Sequence, residues 1–227
     1  MALTLLIGNK NYSSWSLRAW LALTASGIPF EARLVPFGSA EFAAAFEGLD
    51  APRRVPLLLD DDVAVWDSLA IIEHAAERYP DRPVWPGDRV ARGMARAVAA
   101  EMHSSFHRLR RHLPMNLWRP VETRAFDADI GAEIARIGEI WRAARGRFGA
   151  GGDFLFGRFC AADAMFAPVA TRFATYGVPL DPVCADYVAA IHAQPDFVAW
   201  RKAALAEPWV EPHDEVDWPE VKRVPAA

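Results

Sequence analysis

The feature that most constrains this chain is a change of periodicity at Tyr79-Pro80-Asp81-Arg82-Pro83-Val84-Trp85-Pro86-Gly87. Three prolines in nine residues end any regular element, because each fixes its own φ and lacks an N-H to donate. Before this break, short apolar runs alternate with helical patterns. Leu3 to Ile7 is an apolar run closed by Gly8 and by Asn9-Lys10-Asn11, the pattern of a buried strand and a turn. Behind Ser13 and Ser14, both good N-cap types, Trp15, Ala19, Leu21, Ala22 and Leu23 recur at helical spacing until Gly27 and Pro29 stop the helix. Residues 30–37 alternate weakly as a second strand, so the unit reads as a right-handed βαβ with parallel strands. Residues 55–59 and 63–66 then flank Asp60-Asp61-Asp62 as an antiparallel hairpin, and Leu69, Ile72, Ala76 and Tyr79 mark a further helix.

Strand, helix, strand, hairpin, helix is the order of a thioredoxin-like domain, assigned to residues 1–79. Residues 80–87 form a Pro-rich linker. Over residues 88–227 the apolar spacing is helical in four stretches, 88–112, 127–147, 161–175 and 182–205, which predicts an all-helical bundle domain with an irregular tail after Pro208. The fold class is therefore α/β followed by all-α.

Composition removes several functions. The formal net charge is -4 and the basic residues are scattered, so neither nucleic acid nor an anionic membrane is an expected partner. The only cysteines, Cys160 and Cys184, have no metal or dithiol spacing and read as buried apolar residues in a reducing, cytoplasmic setting. The apolar run at residues 1–7 has no basic leader and is too short for a signal or a span. No metal site is expected, since His103 and His107, one turn apart on the expected helix, have no carboxylate or cysteine beside them.

Three short motifs carry chemistry. Asn11-Tyr12-Ser13-Ser14-Trp15 sits where the first strand hands over to the first helix, and a helix start stabilises an anion by about 0.3 to 1 kcal/mol. A hydroxyl donated to that anion adds about 1.5 to 3 kcal/mol. For a thiolate the sum lowers a reference pKa of about 8.5 by roughly 1.5 to 3 units. Taken alone, Ser13 and Ser14 read first as ordinary helix caps. Arg53-Arg54-Val55-Pro56 opens a strand, and a cis bond before Pro56 would leave the N-H and C=O of Val55 for an extended peptide; an ordinary trans proline is the other reading. Trp66-Asp67-Ser68 caps the next helix, or holds a ligand's ammonium and carboxylate, or does both.

In order and spacing, these motifs, the linker and the helical half resemble the cytosolic glutathione transferase family, its bacterial serine-type branch with some zeta-like character. The resemblance covers nearly the whole chain. It implies a homodimeric enzyme that conjugates or reduces small electrophiles with glutathione as co-substrate, in detoxification. It places the cysteine sulfur at Ser13 or Ser14, the peptide backbone at Val55 and Pro56, the γ-glutamyl end at Asp67 and Ser68, and a carboxylate at Arg54. Alignment on Arg18 makes Asn11 the third candidate for the sulfur. The electrophile pocket is expected between the domains, at Tyr12, His107, Met115 and Trp118. A ligand-binding or protein-interaction module without turnover is the alternative. Thiol reductase chemistry needs a cysteine at the first helix start, and none precedes Cys160. Two departures stand out: Cys160 takes the place of the family's capping Ser or Thr three residues before Asp163, and the zeta-class substrate arginine falls at Thr175, with Arg172 a turn earlier.

Overall fold

A computed structural model describes residues 3–219. Four strands form one mixed sheet in the order β2-β1-β3-β4, where β1 is Leu3–Ile7, β2 Phe30–Leu34, β3 Leu57–Asp60 and β4 Val63–Val65. β1 pairs in parallel with β2 and antiparallel with β3, and β3 pairs antiparallel with β4. The hairpin turn puts Asp61 at a φ of 53°, a conformation Asp tolerates better than most residues.

β1 reads as a continuous apolar run because both its faces are covered. Side chains alternate across a strand, so Leu3, Leu5 and Ile7 pack with the main core while Leu6 joins Val35, Phe46 and Leu57 on the opposite face. The helix α1, Ser14–Ala25, lies on the main-core face with α3, Ser68–Arg78. Its residues Ser16, Leu17, Arg18, Ala19, Leu21, Ala22 and Leu23 are buried, too many for one stripe of an amphipathic helix. The reason is that α1 packs on β1 and α3 from one side and on a second-domain helix from the other.

That helix is α7, Ala161–Thr175, nearly all of it buried. Against it pack α4 (Arg89–Ser104) and α8 (Pro182–Ala193), with α6 (Ala128–Phe148) reaching it through Trp141, α9 (Pro195–Leu205) lying on α8 and α1, and the short α5 (His107–His112) between α4 and α6 in sequence. Trp141 packs edge-on against Phe166 and Tyr187, and such aromatics bury a large apolar area each in the bundle core.

Four local features differ from the sequence expectation. The continuous helix over residues 88–112 breaks where Phe106 takes a φ of 60°, and Arg110 Nη1 bonds the carbonyls of His103 and Ser105 that the break releases. His103 and His107 therefore belong to different helices. The stretch 182–205 splits at Gln194, whose Oε1 accepts the Phe197 N-H at 2.6 Å, with Pro195 starting the new helix. A short helix α2, Ala40–Ala44, forms behind the Ser39 cap. The tail after Pro208 is irregular as expected, apart from one 3₁₀ turn at Pro212–Asp214, but it is docked along the first domain.

Cys160 is the N-cap of α7, and Asp163 reaches back from the third position. Its carboxylate accepts the N-H of Cys160 at 2.9 Å, that of Leu155 at 3.0 Å and the Tyr187 hydroxyl at 3.1 Å. Burial pushes this carboxyl up to about 6. Cys160→Ser should strengthen the cap by about 1 kcal/mol, and Asp163→Ala should weaken the fold by about 2 to 4 kcal/mol because three buried donors lose their acceptor. Urea melts of the two variants should move in opposite directions.

Candidate active site

The loop between β1 and α1 is held from three directions. Asn9 accepts the N-H of Ser13 on its carbonyl at 2.8 Å and that of Phe37 on its side chain at 2.8 Å, and it donates to Glu211 at 3.0 Å. Trp200 Nε1 donates to the Lys10 carbonyl at 3.0 Å. Gly8 permits this packing, since a Cβ there would come within 2.5 Å of the Phe37 ring and 3.0 Å of Val55. The loop thus delivers the start of α1 to one fixed place.

There, a cleft of about 440 Å³ opens between the domains. Ser13, Ser14 and Trp15 form its floor, Arg53, Arg54 and Val55 one wall, and Arg110, Pro114, Met115 and Arg172 the opposite one. Ser13 is nearly buried, and its hydroxyl donates to Ser16 Oγ at 2.7 Å, which also accepts the Gly8 N-H at 3.1 Å. The Val55-Pro56 bond is cis, and the ladder begins only at Leu57, so Val55 stands outside it at the cleft edge. Pro56 is buried beneath.

Asp67 caps α3 by accepting the Leu69 N-H at 3.0 Å, and its other oxygen meets His103 Nε2 at 2.7 Å. His103 in turn packs its ring on Trp15, 5.3 Å between centroids, which ties Asp67 to the cleft floor. The Ser68 hydroxyl is fully buried with no partner among the described residues. The peptide before Asp67 is also cis.

The other expected site residues separate. Asn11 turns away from the cleft: its Oδ1 accepts the Leu117 N-H at 2.7 Å and its Nδ2 donates to Asn116 at 3.3 Å, joining the two domains. Tyr12 lines the cleft, but its hydroxyl donates to Glu215 at 2.6 Å, and burial with that carboxylate pushes it up to about 12. Met115 lines the cleft. His107 is exposed on α5 and Trp118 lies beside Tyr12, outside the cleft wall.

Residues that the sequence reading missed include Phe37, Phe42 and Asp214, all on the cleft wall, and His103 as the partner of Asp67. No local signal marks them, because each depends on how separate segments meet. A larger concavity of about 940 Å³ is lined by the linker with Ala25, Phe148 and Phe156. It lies at the far end of α1, roughly 17 Å of helix from Ser14, and shares none of these motifs. Among the described residues no group of His, Cys, Asp and Glu is arranged to hold a metal ion, and no helix is long and apolar enough to cross a membrane.

Residues 12–78 match the family described as "Glutathione S-transferase, N-terminal domain". A solved glutathione transferase homolog from Burkholderia gl BGR1, with bound glutathione, is 27% identical over 90% of this chain and 98% of its own, at a TM-score of 0.64. Residues 12–78 thus carry a glutathione S-transferase N-terminal domain. Similar proteins include the maleylpyruvate isomerase of Ralstonia sp, 33% identical over 57% of this chain and 61% of its own. A solved maleylacetoacetate isomerase from Anaeromyxobacter dehalogenans 2CP-1, with GSH bound in the active site, is 26% identical over 88% of this chain and 94% of its own, TM-score 0.61. The matches to the first curated relatives span 41% to 61% of those proteins' lengths. The family's first-domain match begins at Tyr12 and so takes in Ser13, Val55, Asp67 and Ser68.

Asn11 and Ser68 make opposite predictions for stability. Asn11→Ala leaves the buried Leu117 N-H without an acceptor and should weaken the fold by about 1 to 3 kcal/mol. Ser68→Ala removes a hydroxyl that bonds nothing described and should change chemical-denaturation stability by less than about 0.5 kcal/mol.

Proposed function

We propose that this protein is a glutathione transferase whose Ser13 hydroxyl stabilises the glutathione thiolate at the start of α1. The observation that carries this reading is that Ser13 and Val55 face one cleft, with Val55 outside the ladder beside a cis proline. An extended peptide pairing with Val55 would bring a central cysteine toward Ser13. Its γ-glutamyl end would reach Asp67 for the ammonium and the unpartnered Ser68 hydroxyl, with the first N-H groups of α3, for the carboxylate. Arg54 is then placed for the tripeptide's other carboxylate.

The Ser13-Ser16 hydroxyl pair gives the activation a mechanism. Either hydroxyl can rotate, since each can both donate and accept. When a thiolate arrives, Ser16 donates to Ser13 Oγ and Ser13 turns its own hydrogen to the sulfur. Ser16 keeps the Gly8 N-H as donor in both arrangements, so Ser13 is held at a fixed place while it switches. The sulfur is then stabilised by one charge-assisted hydrogen bond and by the positive end of α1. Ser14 shares the cleft floor and is the second candidate; Asn11, already bonded to the second domain, is the third. The tyrosine on the wall does not compete for this role, because Glu215 holds Tyr12 protonated and occupied.

The electrophile would sit on the second-domain wall near Tyr12, Pro114 and Met115. We place the protein in the cytoplasm as a homodimer. The support for the dimer is exposed Val63 and Trp66 at β4 and exposed Val90 on α4; a monomeric mass by light scattering would count against it.

Ser13→Ala should raise the pKa of bound glutathione by about 1 to 2 units, read from thiolate ultraviolet absorbance, with little loss of glutathione affinity. The acid limb of the rate profile should move to higher pH by the same amount, because the thiolate now forms only as solution pH approaches the unassisted thiol. Loss of activity in Ser14→Ala with Ser13→Ala unaffected would move the role by one residue. A free-solution thiol pKa in the parent protein would leave only a glutathione-binding module.

A further inference from the structure

Where Asn11 turns away from the cleft, the β1-α1 loop meets the tail around a smaller pocket of about 80 Å³. The end of α9 at Ala204 and Leu205, residues 207–210 of the tail, Asn11 and Trp118 line it. Among these residues Glu207 alone is charged. Its Oε2 accepts the Lys10 N-H at 2.7 Å, whereas its Oε1 is sealed from water and has no hydrogen bond among the described residues. The Asn11 N-H and the Lys10 ammonium support the carboxylate at longer range. That ammonium, however, lies over the Trp200 ring, 5.9 Å from its centroid, and forms no ion pair among the described residues. Burial outweighs both and pushes the Glu207 carboxyl up. The pocket therefore holds a carboxylate that lacks a counter-charge.

The other walls decide which counter-charge fits. Trp118 and Trp209 supply two indoles, the side chains that attract cations most strongly. Trp209 is 38% exposed and Val210 54%, so part of the wall stands at the surface and the pocket is reached from solvent. A hard metal ion requires about six oxygens and meets a single spare carboxylate oxygen here. A primary ammonium brings three N-H donors that the wall cannot serve, because Asn11 Oδ1 already takes the Leu117 N-H at 2.7 Å. An anion is repelled by Glu207, and a neutral apolar group buries that charge further. A quaternary ammonium has no N-H to satisfy, spreads its charge over its methyl groups, and needs only a carboxylate within coulombic range. The size agrees, since pockets for whole drug-sized ligands begin at about 300 Å³ and this one admits a headgroup.

We propose that this pocket binds a quaternary ammonium headgroup against the indoles of Trp118 and Trp209, with Glu207 as its counter-charge. The site is separate from the glutathione cleft and does not depend on the transferase reading.

Choline and 3,3-dimethyl-1-butanol test it, because they share a shape and differ in charge: the alcohol has carbon where choline has its nitrogen. Calorimetry on the full chain should show choline binding at least about tenfold more tightly than the alcohol. Glu207→Gln keeps an oxygen for the Lys10 N-H and should remove most of that advantage. Trp209→Leu, at the surface and outside the core, should weaken choline about threefold or more and leave glutathione affinity as it was. Potassium chloride at the same concentration should not displace choline. Equal binding of choline and the alcohol, displacement by potassium, or an unchanged choline affinity in either variant would overturn the proposal. So would the absence of choline binding up to about 50 mM. Sedimentation with dioleoylphosphatidylcholine vesicles separates the two sources of such a headgroup. Protein that pellets with the vesicles and is released by choline takes a lipid headgroup; protein that binds choline but stays in solution takes a free cation.

Discussion

The arrangement of this molecule depends on α1 being buried on two sides. A helix pressed between a sheet and a second-domain helix cannot have a polar face, and yet its start must meet solvent to bind anything. The chain resolves this by burying Arg18 inside the helix, where its guanidinium bonds the Met165 carbonyl of α7 across the interface and the Ser14 carbonyl within its own first turn. One side chain therefore joins the two domains and fixes the turn that forms the cleft floor. The aromatic face of Trp15, covered by Arg18 and Arg110, completes the same junction from the solvent side.

The same economy recurs around the β1-α1 loop. Asn9, Lys10, Asn11 and Tyr12 each bond a segment distant in sequence, and the partners are mostly carboxylates from the tail: Glu211, Glu207 and Glu215. Glu215 alone accepts from Tyr12, Asn116 and Arg119, tying the first domain, the connection after α5 and the tail together. A charged acceptor shared by three donors in a half-buried setting is worth more than three separate surface contacts, since each bond is charge-assisted and shielded from water.

Much of this was legible in the sequence, for identifiable reasons. β1 and the hairpin show as apolar runs bounded by turn residues, and α1 by its serine caps and the Gly27-Pro29 stop, because these signals are local. The cleft-facing positions Ser13 and Val55 were legible for the same reason. The break at Phe106 was not, because an aromatic at positive φ carries no local sign, and periodicity ran on through it. The docking of the tail was equally hidden: Glu207, Glu211 and Glu215 look like a solvated acidic segment until the polar loop they bind is placed opposite. Asn11 was ambiguous in sequence because alignment addresses residue order and not which way a side chain turns.

The tail contact has a consequence for how the molecule comes into being. Tyr12 and Glu215 are 203 positions apart, so this bond is among the longest-range in sequence that the described residues make. During synthesis both domains can acquire their cores while the cleft still lacks the wall that carries Asp214. The ligand site is thus finished late, only once Asp214 and Glu215 have been made and the tail has docked.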